Sequence, residues 1–272
     1  MKPFDHQTGQ HLQVDNARIY VEQAGSPDAY PVLYLPGGFG HIAEFNLMMP
    51  ELPESIQLIG IDSRGHGKST MGNRGLTYAQ LENDVCAIVR QLDLKRLSVI
   101  GYSDGGIVAM RLAASRRLEI DKVVAIGAHW QLKAHDPIRE VFSQITPESW
   151  RVEAPDDYDE YIALNPEPDF DRFTRDVVNM WLDTDPATGY PNETVSRITS
   201  ELLIVRGDDD PYITPGSMAE LATLVSRSHL CNLPFAEHAV HEDQPELLGR
   251  ILDHFFSDLS FSKQDRRSMI TR

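Results

Sequence analysis

The chain has 272 residues, of which 41% are hydrophobic, and a formal net charge of −16. That is enough chain for one large α/β domain with an insertion, or at most two domains, and enough apolar material for a sizeable core. The charge argues against nucleic acid and anionic membrane as partners, and no apolar run approaches a membrane span.

The N-terminus, MKPFDHQTGQHLQ, has no apolar core of the kind a secretory signal needs. Cys86 and Cys231 lie far apart and outside any metal-type spacing. They suggest buried thiols in a reducing compartment, so a cytoplasmic location is expected. The histidines fit no pattern such as H-E-x-x-H, and no metal and no cofactor are expected. Homo-oligomerisation is left open.

In chain order, residues 17–24 (ARIYVEQA) alternate apolar and polar like a half-exposed strand. Residues 31–35 (PVLYL) read as a short buried strand ending in Pro36-Gly37-Gly38, and residues 57–62 as another. Over 78–94, Leu81, Val85, Ile88 and Leu92 recur at helical spacing behind a candidate cap, Thr77. A strand over 97–102, a helix from Asp104 to about Arg117 and a strand over 122–126 follow. From 131 to 197 there is no strand signal, only helical pieces cut by prolines. Strand 201–206, helix 215–226, strand 228–233 and helix 245–256 then resume the rhythm. The expected architecture is α/β: a mostly parallel central sheet with helices on both faces, plus a helical insertion. The core takes 1–130 and 198–258, the insertion 131–197, and a polar C-terminal tail 259–272.

The stretch RLSVIGYSDGGIVA places Gly101-Tyr102-Ser103-Asp104-Gly105 between a strand and a helix. G-x-S-x-G in that context marks a nucleophile elbow. Gly101 and Gly105 would leave room for the tight turn, and Gly106 and Ala109 would let the helix pack closely. A serine hydroxyl needs a base, and the base an orienting acid. Candidates stand after two later strands: Gly207-Asp208-Asp209-Asp210 and Glu237-His238. In a parallel sheet these ends share an edge with Ser103.

With those residues in place, the chain resembles an α/β-hydrolase-fold enzyme over residues 12–258. The resemblance implies an acid three residues after the glycine, which is Asp210, with Asp209 second. Asp208 and Asp209 otherwise read as a solvated loop. It also implies a histidine followed by an acidic residue and a proline, which fits His238 with Asp243 and Pro245; His241 is the competitor. The family's usual glycine before the histidine is Glu237 here. The oxyanion hole needs two backbone N–H groups. One is expected from Asp104, the other from Gly38, with Phe39 second; the family's His-Gly there is Pro36-Gly37 in this chain. Asp62-Ser63-Arg64-Gly65-His66-Gly67-Lys68-Ser69 resembles the family's D-x-R-G-x-G-x-S turn and reads as structural.

The insertion resembles the family's cap over the active site. Trp130, Trp150 and Trp181 lie in it or at its start. Most of its aromatics are expected to form its own small core; Phe39, Trp130 and Trp181 are the candidates for substrate contact. It holds fifteen acidic and six basic residues. With Asp104 beside the nucleophile, this suggests neutral or cationic esters over anionic ones. G-x-S-D-G-G also resembles the motif of amino-acid-ester (valacyclovir-type) hydrolases. The expected activity is hydrolysis of small carboxylic esters. Carbon–carbon hydrolysis, lactone opening, amide cleavage, perhydrolysis and a non-catalytic binding protein remain the rivals.

Overall fold

The structure, a computed structural model, describes residues 1–259. Eight strands form one sheet in the order β1-β2-β4-β3-β5-β6-β7-β8. β1 (Gln10–Val14), β2 (Ala17–Ala24) and β4 (Ile56–Ile61) pair antiparallel in succession. β3 (Tyr30–Leu35), β4, β5 (Arg96–Tyr102), β6 (Glu119–Ile126), β7 (Glu201–Gly207) and β8 (Ser228–Leu233) run parallel. The parallel strands β3, β4 and β5 are almost wholly buried, as strands covered by helices on both faces must be.

β1 has no counterpart in the sequence reading. It is a polar edge strand, QHLQV, held by backbone pairing to β2, so its side chains carry little signal. α1 (Tyr78–Gln91) is capped by the Thr77 side chain, as expected, but ends three residues early. Asp93 turns left-handed at φ 54° and stops the helix.

One core lies between the sheet and α1 with α2 (Asp104–Ser115), and the other between the sheet and α9 (Pro245–Phe256). Between β6 and β7 run α3 (Ile138–Gln144), α4 (Pro147–Glu153), α5 (Pro155–Leu164) and α6 (Phe170–Leu182), without a strand. α7 (Pro215–Leu224) and α8 (Val240–Asp243) complete the α-helices among the described residues, beside 3-10 turns at Ile42–Leu47, Met49–Glu51 and Asn192–Arg197. The tail expected at 259–272 lies, beyond Leu259, outside the described residues.

The turn after β4 is a structural joint. The buried Asp62 carboxylate accepts from the amides of Ile42 (2.9 Å) and Lys68 (2.8 Å) and pairs with His6 (3.0 Å). Arg64 is fully buried and makes a forked pair with Asp84, at 2.8 and 2.7 Å. Removing one partner leaves an uncompensated buried charge. Arg64→Met is therefore expected to destabilise the fold by about 3–5 kcal/mol in urea unfolding, and the Arg64→Met/Asp84→Leu double variant by less.

Candidate active site

Ser103 sits between β5 and α2 at φ 48°, ψ −113°, a conformation costly for any residue with a side chain. Its neighbours explain how the turn closes. A Cβ on Gly101 would lie 2.2 Å from the Gly105 carbonyl oxygen, and one on Gly105 2.0 Å from that of Leu35. A Cβ on Gly106 would lie 2.6 Å from the Ala128 Cβ, so close packing of α2 on β6 needs glycine there.

Ser103 Oγ lies 3.1 Å from His238 Nε2, and His238 Nδ1 lies 3.0 Å from Asp210 Oδ2. The other Asp210 oxygen accepts from the amides of Tyr212 (2.8 Å) and Ile213 (3.1 Å). Burial pushes the Asp210 carboxyl up, but the His238 hydrogen bond and charge and the two amides outweigh it, and the net shift is downward. Asp208 and Asp209 are exposed and only Asp210 of the three turns inward. The His238 loop is pinned where the Glu237 amide donates to Asp243 (2.8 Å), while Glu237 itself is exposed. The rings of Tyr212 and Tyr102 flank His238 at 4.8 and 5.3 Å.

His241, the competitor, and His66, in the structural turn, are placed elsewhere. His241 is fully buried against Tyr102 and Phe45. His66 is buried with its Nδ1 on the Arg64 carbonyl.

A cavity of about 500 Å³ opens over Ser103. Gly38, Asp104 and Trp181 line it, together with residues of the helical segment such as Phe142 and Trp150. A Cβ on Gly38 would meet Asp104 Oδ2 and Trp181 Cζ2, both at 2.7 Å, so this loop, the elbow and the segment meet in one place. The Asp104 amide lies in the first turn of α2, where N–H groups lack intrahelical partners. Its carboxylate is buried and accepts from Tyr78 Oη (2.7 Å) and Trp181 Nε1 (2.9 Å). Burial raises its pKa to about 6, against the pull of those donors.

Two of the residues expected at the substrate do not line the cavity. Trp130 is buried and its Nε1 donates to the Ser217 carbonyl (3.1 Å), which ties the segment to α7. Phe39, at φ 64°, stacks on Trp150 at 4.1 Å and packs edge-on to Trp181, so it backs the cavity wall. Both are aromatics whose facing direction the tertiary packing decides. Tyr190, one of the insertion's aromatics, lines the cavity, and so do Tyr78 and His129, which the sequence reading passed over. His129 had one usable signal, its place just beyond the end of β6.

Burial holds three histidines down: His66 and His129 to about 4, and His241 to about 3. Their contribution to stability is complete above the unfolded value of 6.5 and is lost as pH falls toward those values. Asp104 acts oppositely, favouring the fold at low pH and losing that contribution as pH rises through about 6. A tenfold change in a proton-binding constant is worth about 1.4 kcal/mol, so each of the three histidines contributes on that scale or above it. The urea midpoint is expected to fall less from pH 7 to pH 4 in His241→Phe than in the wild type; equal falls would contradict this burial.

Among the described residues no cluster of three or more His, Cys, Asp or Glu side chains is arranged to hold a metal ion, and no helix is long and apolar enough to cross a membrane. Cys86 is a buried and Cys231 a half-buried free thiol.

Similar proteins were found at the level of sequence, family and fold. Human serine hydrolase BPHL is 26% identical over 260 residues, covering 91% of this chain and 86% of its own. A 2-(acetamidomethylene)succinate hydrolase of Mesorhizobium japonicum is 23% identical, covering 92% of this chain and 96% of its own. Among solved structures, a putative lipase from Acinetobacter baumannii superposes with a TM-score of 0.79 at 15% identity, over 92% of this chain and 90% of its own. The family model described as the alpha/beta hydrolase family matches residues 32–250. With that match over most of its length, and with the elbow and sheet order described above, this chain is a hydrolase of the alpha/beta hydrolase family.

Proposed function

We propose that this chain is a serine hydrolase of small carboxylic esters. The observation that carries the reading is the continuous relay from Ser103 Oγ through His238 to Asp210, at 3.1 and 3.0 Å, at the floor of the cavity. Ser103 attacks the ester carbonyl while His238 Nε2 takes its proton. The backbone N–H groups of Gly38 and Asp104 stabilise the oxyanion. His238 then delivers the proton to the leaving alcohol, and the acyl-enzyme forms. Water, deprotonated by His238, releases the acid and restores Ser103. Asp210, fixed by two amides, holds the imidazole in the tautomer this requires. No cofactor enters these steps.

The helical segment 131–197 acts as the cap that sets specificity, and Trp181 contacts the substrate from it. Charge favours neutral or cationic esters. Glu44, Asp157, Glu237, Glu242 and Asp243 all line the cavity. The carboxyls of Glu44, Asp157 and Glu242 are raised, first by burial and then by neighbouring carboxylates. The raised groups carry less charge near pH 7, so the exposed Glu237 and Asp243 are the carboxylates that would repel an anionic substrate. The protein's partners are thus small molecules, and a cytoplasmic setting suits its free thiols.

A panel of short-chain, aromatic and aminoacyl esters tests the reading. Neutral short-chain esters are expected to turn over, and α-amino esters to be cleaved faster than their N-acetyl forms. Equal rates for that last pair would remove the preference for cations. Cleavage of lactones, amides or diketones with no ester hydrolysis would replace the ester reading itself.

A further inference from the structure

Because the leaving alcohol takes its proton from His238 Nε2, it departs on that ring's side, and the acyl group is directed away from it, along the wall that includes Asp104. That wall is built from polar groups that are nearly all engaged. Tyr78 Oη and Trp181 Nε1 donate to Asp104, and Tyr190 Oη donates to the Trp181 carbonyl (2.8 Å). The Tyr78 and Tyr190 rings lie 5.0 Å apart.

His129, beside Tyr190, differs from these engaged groups. It lines the cavity, and its ring lies 6.3 Å from Tyr190 and 6.4 Å from Phe142, both of which line it too. The residue is only 9% exposed, and its Nε2 is buried with no hydrogen-bond partner among the described residues. A buried polar atom without a partner is costly, and a ligand that supplies one recovers that cost. Burial lowers the His129 pKa to about 4, so the ring is neutral near pH 7. A neutral imidazole has one donor and one acceptor nitrogen. A hydroxyl both donates and accepts, so it satisfies either nitrogen, and it brings no charge among Phe142 and Tyr190.

We propose that His129 is a substrate-binding residue that hydrogen-bonds a hydroxyl on the acyl group, so that the cavity prefers esters of hydroxy acids to those of unsubstituted acids. The proposal rests on the ester-hydrolase reading and names the substrate class within it.

The test compares p-nitrophenyl butyrate with p-nitrophenyl 3-hydroxybutyrate on the wild type, His129→Phe and His129→Gln. The wild type is expected to favour the hydroxylated ester about tenfold in kcat/KM, the worth of one such hydrogen bond. His129→Phe removes the preference, chiefly through KM, and His129→Gln, which keeps a donor and an acceptor, retains part of it. Equal kcat/KM for the two esters in the wild type overturns the proposal. So does an equal fall for both in His129→Phe, which is what a purely structural role would give. If neither ester is cleaved, the ester reading falls separately. Calorimetric titration of Ser103→Ala with the two methyl esters then decides. Tighter binding of the hydroxylated ester, lost in Ser103→Ala/His129→Phe, sustains the proposal, and equal binding overturns it.

Discussion

Ser103→Ala is expected to lower kcat/KM for a cleaved ester by roughly four to six orders of magnitude, while the protein stays folded. The size of the loss follows from the relay. Ser103 Oγ is the only atom of the set placed to attack, and His238 Nε2 lies 3.1 Å from it. His238→Ala should cost about as much, and the double variant little more than either single one, because the groups act as a unit. Asp210→Asn should cost about 10⁴-fold, since an amide in place of the carboxylate favours the wrong tautomer of His238. Stability should hardly change in Ser103→Ala, because alanine bears the same left-handed backbone cost as serine at φ 48°. Ser103→Gly is the informative contrast: it is equally inactive but relieves the strain, and should be more stable by about 1 kcal/mol in urea unfolding. Equal stability of the two variants would mean the elbow stores no strain.

Gly105→Ala is expected to cost the fold about 3 kcal/mol or more and to lower the yield of soluble protein. The added Cβ would lie 2.0 Å from the Leu35 carbonyl oxygen and 2.7 Å from that of Pro36. Both are backbone atoms of β3 and its loop, and the Gly105 amide donates to the Pro36 oxygen at 3.1 Å. No rotamer change relieves such a clash; β3 and α2 must part. The loop carrying Gly38 moves with them, so residual folded protein should also lose activity. Gly216→Ala is the control. Near the start of α7, its Cβ would meet nothing closer than Thr214 Oγ1 at 3.9 Å, and it should stabilise by about 0.5–1 kcal/mol. Thermal denaturation of the two variants side by side separates the steric effect from a general effect of alanine for glycine.

Much of the fold was legible because β3 to β7 are short apolar runs that end in glycine- or aspartate-bearing loops, and because α1 has a clear helical stripe with a threonine cap. β1 was not, because a polar edge strand is specified by its partner's backbone and not by its own side chains. Within the site, Ser103, His238 and Asp210 were legible from their places at strand ends, and the fold brings them within hydrogen-bond distance of one another. Among the three consecutive aspartates, the resemblance singled out Asp210 by its distance from Gly207, and the fold supplies the physical reason, the two amides that hold it inward. The cavity wall was least legible. Trp130 and Trp181 look alike as residues of one helical segment, yet one donates to the Ser217 carbonyl and the other to Asp104. Likewise nothing local to Tyr78, on α1, announces that its hydroxyl reaches the carboxylate beside Ser103.

The central claim is that Ser103 is a nucleophile activated by His238. Its most direct test is reaction of the folded protein with a fluorophosphonate probe, followed by peptide mass spectrometry. One adduct is expected, on the peptide carrying Ser103, absent in Ser103→Ala and formed far more slowly in His238→Ala. Folded protein left unlabelled at Ser103, or labelled there equally fast without His238, would contradict it.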